Sequence, residues 1–272
     1  MGNERGYIIP IGGAEEKEGG SILERFAKLC GGSSARIAVI PTASQDPESG
    51  PRNERHFREM GVRKVRVLPL ESRQDCQDEK WVRKIEDADG VYMTGGNQLR
   101  LSTTLGGTGV AEAMRRCNAA GLHVAGTSAG ASFLSEHMIA YGDEGSTPRA
   151  SLVTLAPGLG LSDRFIIDQH FRQRNRLGRL LAAISYNPRC LGLGVDEDTA
   201  AFIAPDDTFE VVGSGAVTVI DPSEMEYSSM DSAERDRPVS VINVRIHVLT
   251  EGGTYDISAR RARVAPALTG KP

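Results

Sequence analysis

The sequence predicts an α/β fold with a mainly parallel sheet flanked by helices, and with antiparallel edge strands in its C-terminal part. Two observations carry this. Apolar, β-branched runs alternate with amphipathic segments up to the Gly126–Gly130 region, and strands separated by helices imply βαβ crossovers and parallel pairing. The early strands are also close to continuously apolar, as strands covered on both faces are.

Taken in order, residues 7–11 read as a strand, followed by Gly12-Gly13 and an acidic loop through Glu18. Ile22-Leu23, Phe26-Ala27 and Leu29-Cys30 recur at helical spacing, with Ser21 as N-cap and Gly31 as stop. Residues 36–40 form a second strand ending at Pro41. A helix around 53–60 precedes a third strand at 65–68, and a helix at 79–85 carries Trp81. Residues 90–93 are a fourth strand, followed by Thr94-Gly95-Gly96-Asn97-Gln98 as a turn. A helix over 110–120 leads into the apolar run 122–125, and small residues at 131–134 read as another helix. Further on, 165–168 reads as a strand and 172–186 as a helix. Candidate strands at 191–195, 200–203, 209–212, 217–220 and 241–248 are expected at one edge of the same sheet. Residues 221–237 are expected as an exposed loop and 260–272 as a disordered basic tail. With no repeat and no linker, residues 1–272 are expected as one α/β domain.

Composition excludes several function classes. Of 272 residues, 39% are hydrophobic and 25% charged, an ordinary soluble balance. A net charge of −4 gives no global pull toward nucleic acid or an anionic membrane. No apolar stretch approaches the roughly 20 residues of a membrane span, and the N-terminus lacks the charged-then-apolar pattern of a secretory signal. A cytoplasmic location is therefore expected. Cys30, Cys76, Cys117 and Cys190 lie far apart, which argues against structural zinc and a disulfide scaffold. Cys30 and Cys117 are expected as small buried hydrophobes.

The chemistry starts at Gly126-Thr127-Ser128-Ala129-Gly130. Gly-x-Ser-x-Gly between a strand and a helix describes a nucleophile elbow, in which a tight turn lifts the serine Oγ out of the backbone. A serine needs a positioned base. Of five histidines, His56 reads as solvated, His123 lies on the strand into the elbow, His137 near the end of the helix after it, and His247 on a late strand. His170 is the candidate base, because the carboxyl end of a parallel strand would deliver it where open α/β sheets gather their sites. A carboxylate should orient that imidazole. Glu197, at the end of another strand, is the choice; Asp196, Asp198, Asp143 and Glu144 remain open. Backbone N–H groups of Gly95 or Gly96, with that of Ala129, are candidates for an oxyanion hole. Gln98 could hydrogen-bond a peptide. Arg172, Arg174, Arg176 and Arg179 follow His170, and Arg172, Arg176 and Arg179 would share one helical face. Such a cluster suits a substrate bearing carboxylates. Gly12-Gly13 reads only weakly as a phosphate loop, since no Gly-x-Gly-x-x-Gly follows.

Gly95-Gly96-Asn97-Gln98, Gly126-Thr127-Ser128-Ala129-Gly130-Ala131, Asp168-Gln169-His170-Phe171 and the following Arg-x-Arg-Leu-Gly-Arg together resemble the serine exopeptidase family of cyanophycinases and aspartyl dipeptidases. Ile11-Gly12-Gly13-Ala14-Glu15 and Pro41-Thr42-Ala43-Ser44 fit the same pattern, and the likeness runs over about residues 6–250. The resemblance implies a fold like that of class I glutamine amidotransferases, with serine at the elbow, and a homodimer without cofactor or metal. It implies hydrolysis of cyanophycin, a poly-aspartate carrying arginine on each side-chain carboxyl, to β-Asp-Arg dipeptides. Ser128, His170 and Glu197 would be the triad. Gln98, Asp168, Gln169, Arg174, Arg176 and Arg179 would line the pocket, with Asp168 meeting substrate guanidinium groups. An α-aspartyl dipeptidase of the same family and a catalytically silent binding protein are the alternatives.

Overall fold

A computed structural model describes residues 4–15, 21–234 and 236–265. Most of the acidic loop through Glu18, and residues 266–272 of the basic tail, lie outside the described residues. The chain begins with β1 (Ile8–Ile11), α1 (Ser21–Leu29), β2 (Arg36–Ile40), α2 (Ser49–Glu59), β3 (Lys64–Val67), α3 (Glu79–Glu86) and β4 (Gly90–Met93). Next come α4 (Gln98–Leu105), α5 (Gly109–Ala119), β5 (His123–Thr127), α6 (Ala129–Phe133), β6 (His137–Tyr141) and β7 (Thr154–Pro157). β8 (Phe165–Gln169), α7 (Leu177–Tyr186) and β9 (Leu191–Val195) form a crossover unit. β10 (Thr199–Ile203), β11 (Thr208–Gly213), β12 (Ala216–Asp221), β13 (Tyr227–Ser228), β14 (Val241–Ile242), β15 (Arg245–Thr250), β16 (Thr254–Asp256) and β17 (Arg261–Arg263) complete the order.

The local reasons are readable. α1 turns Ile22, Leu23, Phe26 and Ala27 inward at helical spacing. Asp78 caps α3 by accepting from the Lys80 N–H at 2.9 Å. Asn97 caps α4 in the same way, accepting from Leu99 N–H at 2.9 Å. That cap, with Leu101 and Leu105 buried four residues apart, makes a helix directly after the turn expected at 94–98, in a stretch where the sequence predicts no element.

Nine strands form the main sheet in the order β17-β16-β11-β10-β1-β5-β4-β2-β3. β1, β5, β4, β2 and β3 run parallel, while β10, β11, β16 and β17 add antiparallel at one side. Ile11 pairs with Thr127, Gly126 with Met93, and Met93 with Ile40, so β1, β5, β4 and β2 end together at one edge. The expectation that all late strands extend this sheet is corrected: β15-β12-β9-β8 is a separate four-stranded sheet, in which β8 and β9 are parallel. The physical reason lies in burial. β8 and β9 are buried along their whole length and pack on both sides, inward against the main core and outward against α7. Apolar residues of both sheets, among them Met93, Val124, Ile167, Leu193 and Val219, share one core with α3 to α6. On the opposite face of the main sheet, α1 and α2 cover Ile9, Val39, Tyr92 and Phe202 with Phe26 and Phe57.

Four further expectations change. His137 opens β6 rather than ending a helix, because α6 stops at Phe133 and the chain is captured by Glu136 N–H to Ser162 O at 2.9 Å and Gly158 N–H to Glu136 O at 2.8 Å. His56 is buried on α2 rather than solvated. The segment from 260 is not all tail, since β17 pairs with β16. The 221–237 stretch begins with Asp221 fully buried, ion-paired to Arg245 at 3.0 Å and to Arg260, and then holds the short β13. No described helix is long and apolar enough to cross a membrane.

Candidate active site

Ser128 sits between β5 and α6 at φ 51°, ψ −111°, a backbone conformation that costs a non-glycine residue about 1–3 kcal/mol. The flanking glycines make that bend sterically possible. A Cβ on Gly126 would strike the backbone of Gly130, and a Cβ on Gly130 would lie 2.5 Å from Met93 O. The Ser128 Oγ lies 2.9 Å from His170 Nε2, and His170 Nδ1 lies 2.6 Å from Glu197 Oε1. With a carboxylate on Nδ1, the proton sits there and Nε2 is free to accept from the serine hydroxyl.

The three residues come from two sheets. Ser128 follows β5 of the main sheet, whereas His170 and Glu197 follow the parallel neighbours β8 and β9. The hub joining them is the segment after β1. Ile11 O accepts from Ser128 N–H at 2.9 Å, Gly12 O from His170 N–H at 2.9 Å, and Gly13 O from Asp198 N–H at 2.8 Å. Gly13 also has φ 101°, and a Cβ there would fall 2.6 Å from His170 Nε2. The glycine pair read as a weak phosphate loop therefore makes room for the imidazole. A glycine pair at the end of a central strand was the available signal; its partner could not be read from it.

The competing carboxylates are bonded to other groups or lie out at the surface. Asp196 is buried and accepts from Arg172 N–H at 3.0 Å and Ala216 N–H at 3.2 Å. Asp198 accepts from Ser214 Oγ at 2.6 Å. Asp143 and Glu144 are exposed beyond β6. Burial lowers the His170 pKa; Glu197 raises it by hydrogen bond and charge, and Arg174 and Arg176 lower it further, with a net fall. The imidazole is thereby kept neutral, the form that can take a proton.

Gly95 stands against the serine, since a Cβ on it would lie 3.8 Å from Ser128 Oγ. Gly96, at φ 143°, packs on Ala43, whose carbonyl accepts from Asn97 N–H at 2.9 Å. Among the described residues no backbone carbonyl takes the N–H of Gly95, Gly96 or Ala129. Gln98 opens α4 and spends its amide hydrogens on Ile139 O at 3.1 Å and Ala140 O at 2.9 Å, leaving Oε1 to accept.

The arginine cluster does not form one helical face. α7 starts at Leu177, and residues 170–175 make a turn with His170 at φ 47° and Asn175 at φ 46°. The turn is pinned by Phe171, whose ring occupies the space a Cβ on Gly194 would need. Arg172 and Arg174 are exposed as a result, and Arg172 leans on Asp196 at 3.3 Å. Arg176 and Arg179 are buried around Asp168. Arg179 Nε donates to Asp168 Oδ2 at 2.8 Å, and its second nitrogen bonds Oδ1. Arg176 donates to Gln169 Oε1 at 2.9 Å and reaches Asp168 Oδ1 at 3.5 Å, while its buried Nε has no partner among the described residues. Burial pushes Arg176 down to about 10, still a cation at neutral pH. Asp168 was expected to meet substrate cations; with two arginines on it, its charge is already neutralised. Cys30 is buried and Cys117 half-buried, both with thiols pushed up by burial.

A hydroxyl, an imidazole and a carboxylate in line where the carboxyl ends of parallel strands from two packed sheets meet define the class: a serine-type peptidase on the class I glutamine amidotransferase-like fold. The chain belongs to peptidase family S51, whose model matches residues 8–212. It is 42% identical over 264 residues to a cyanophycinase from Nostoc sp., covering 96% of this chain and 88% of that one. It is 41% identical over 255 residues to a cyanophycinase from Geminocystis herdmanii, covering 93% and 94%. A crystal structure of a peptidase from an acI-B1 Actinobacterium superposes with a TM-score of 0.70 at 21% identity, over 94% of this chain and 98% of that one.

Proposed function

We propose that this chain is a serine exopeptidase that hydrolyses cyanophycin to β-Asp-Arg dipeptides. One observation carries the reading: the Ser128–His170–Glu197 row, at 2.9 and 2.6 Å, occurs in a chain 42% identical to a cyanophycinase over 96% of its length. Ser128 is the nucleophile, raised on a nucleophile elbow. His170 Nε2 takes the hydroxyl proton as Oγ attacks the carbonyl carbon of the polymer backbone, and Glu197 stabilises the imidazolium. The N–H groups of Gly95, Gly96 and Ala129 hold the oxyanion. Collapse expels the leaving amine, which receives its proton from His170, and leaves an acyl-enzyme on Oγ. Water, deprotonated by the same imidazole, then releases the acid and restores the serine.

Gln98, Gln169, Arg174 and Arg176 line the substrate pocket. Asp168 and Arg179 form its buried wall and fix the direction of the Arg176 guanidinium. Arginine forks pair with carboxylates, and every unit of this substrate carries a free carboxylate on its arginine branch. The whole chain acts as one hydrolytic domain, without metal or organic cofactor, in a cytoplasmic homodimer. The test is product analysis with insoluble cyanophycin. The wild type should release β-Asp-Arg, and Ser128→Ala should lose at least about 1,000-fold of that rate with an unchanged melting curve. Turnover by the folded alanine variant would remove the serine from the mechanism.

A further inference from the structure

A cleft of about 300 Å³ opens beside Ser128, lined among others by Gly13, Glu15, Arg52, Tyr92 and His170. Glu15 is the unexplained group in it. Its side chain is buried at 8% exposure, and its two oxygens accept hydrogen bonds from Tyr92 Oη and Thr127 Oγ1, each at 2.6 Å. Both donors are neutral hydroxyls. Tyr92 stays protonated, because burial and the neighbouring Glu15 charge raise its pKa well above the usual phenol range. Among the described residues no Lys, Arg or His pairs with Glu15.

A carboxylate offers about four lone-pair sites, so two remain after Tyr92 and Thr127. A buried charge without a counter-ion is costly, and a cation entering the cleft would relieve that cost. The position is tied to the chemistry on both sides. Thr127 precedes Ser128 directly, and Gly13, two residues before Glu15, abuts the His170 ring. Asp168 and Asp196, the other buried acids near the base, are spent on Arg176 and Arg179 and on Arg172 respectively. Glu15 is thus the acid still able to take a ligand's positive charge.

We propose that Glu15 is a specificity residue that receives the guanidinium of the arginine branch next to the scissile bond; this rests on the cyanophycin reading above. An arginine joined through its α-amine keeps two charged groups, a guanidinium and a carboxylate. The cleft carries the opposite pair, Glu15 and the exposed Arg52, which is anchored on Asp46 at 2.8 Å. Guanidinium and carboxylate pair through two parallel hydrogen bonds, a geometry that an uncharged urea of the same shape cannot match in strength.

The experiment compares two synthetic oligomers of β-substituted aspartate, one bearing arginine and the other its neutral isostere citrulline. The wild type should prefer the arginyl oligomer by about 10- to 100-fold in kcat/KM. Glu15→Gln should collapse that ratio toward one, and Glu15→Asp should retain part of it. Melting curves and the rate of Ser128 labelling by a fluorophosphonate establish that each variant is folded with its serine reactive. Equal losses on both oligomers in Glu15→Gln would reduce Glu15 to a support for Tyr92 and Thr127, and overturn the proposal. A wild type that cleaves both oligomers equally well overturns it without any variant. A wild type that cleaves neither defeats the cyanophycin reading, and this inference with it.

Discussion

At the residue scale the reactive arrangement is a balance of opposed effects on one imidazole. Burial and two arginines disfavour the His170 cation, while Glu197 favours it, and the first group wins. The proposed mechanism uses the neutral form as the base, so kcat/KM should rise with pH through a midpoint below the ordinary imidazole value of about 6.5. Replacing Glu197 by Gln removes the contribution that raises the pKa. The acid limb should then move further down in pH, while the rate falls by about 100- to 10,000-fold as the imidazole loses its orienting partner and tautomer. A pH profile of kcat/KM for both proteins checks this; a limb that moves to higher pH in the variant would contradict the electrostatic account. The meeting of Ser128 with His170 was legible because each follows an apolar run at a strand end, whereas the carboxylate was legible only as one of several acids, Glu197 among them. Glu15 was not legible as a site residue: its partners Tyr92 and Thr127 lie 77 and 112 positions away.

At the element scale, the carboxyl ends of β8 and β9 deliver the His170 imidazole and the Glu197 carboxylate, and the buried ion cluster behind them holds that end in place. Asp168 has no exposed side-chain surface, and Arg179 and Arg176 have 4% and 8%. Arg179 also donates to Gly142 O at 2.8 Å, tying the β8 end to the segment after β6. Removing one partner of a buried pair strands the other's charge. Asp168→Asn should therefore cost about 3–5 kcal/mol of stability, read as a lower urea midpoint with an unchanged slope. A change within the error of the measurement would mean that the arginines are satisfied by water. Helical periodicity suggested one arginine face here. It failed because the turn at 170–175 depends on Phe171 filling the space over Gly194, a contact between β9 and the chain beyond β8. Such a contact has no signature in the local pattern.

At the scale of the whole molecule, the site exists only where two sheets meet. β5 supplies the serine from the main sheet, β8 and β9 supply its partners from the smaller one, and one apolar core runs between them. Separating the sheets would expose that core and part Ser128 from His170 at the same time. In urea, loss of turnover and the change in Trp81 fluorescence should coincide in a single transition. Activity lost well before the Trp81 signal would show that the smaller sheet detaches on its own. The alternation of strands and helices was legible because most early strands are apolar and the helices between them amphipathic. The division of the later strands was not, since strands of one sheet and of two read alike along the chain.

The amino-acid order alone determined the parallel sheet, the strained turn that raises a hydroxyl, and the imidazole that meets it, because these depend on periodicity and on glycines a few positions apart. Tertiary structure decided which carboxylate meets the imidazole, which arginines are spent internally, and why two glycines follow β1. Those outcomes depend on side chains from distant segments competing for the same space and the same charge. Such a competition is resolved only when the sheets have closed on each other.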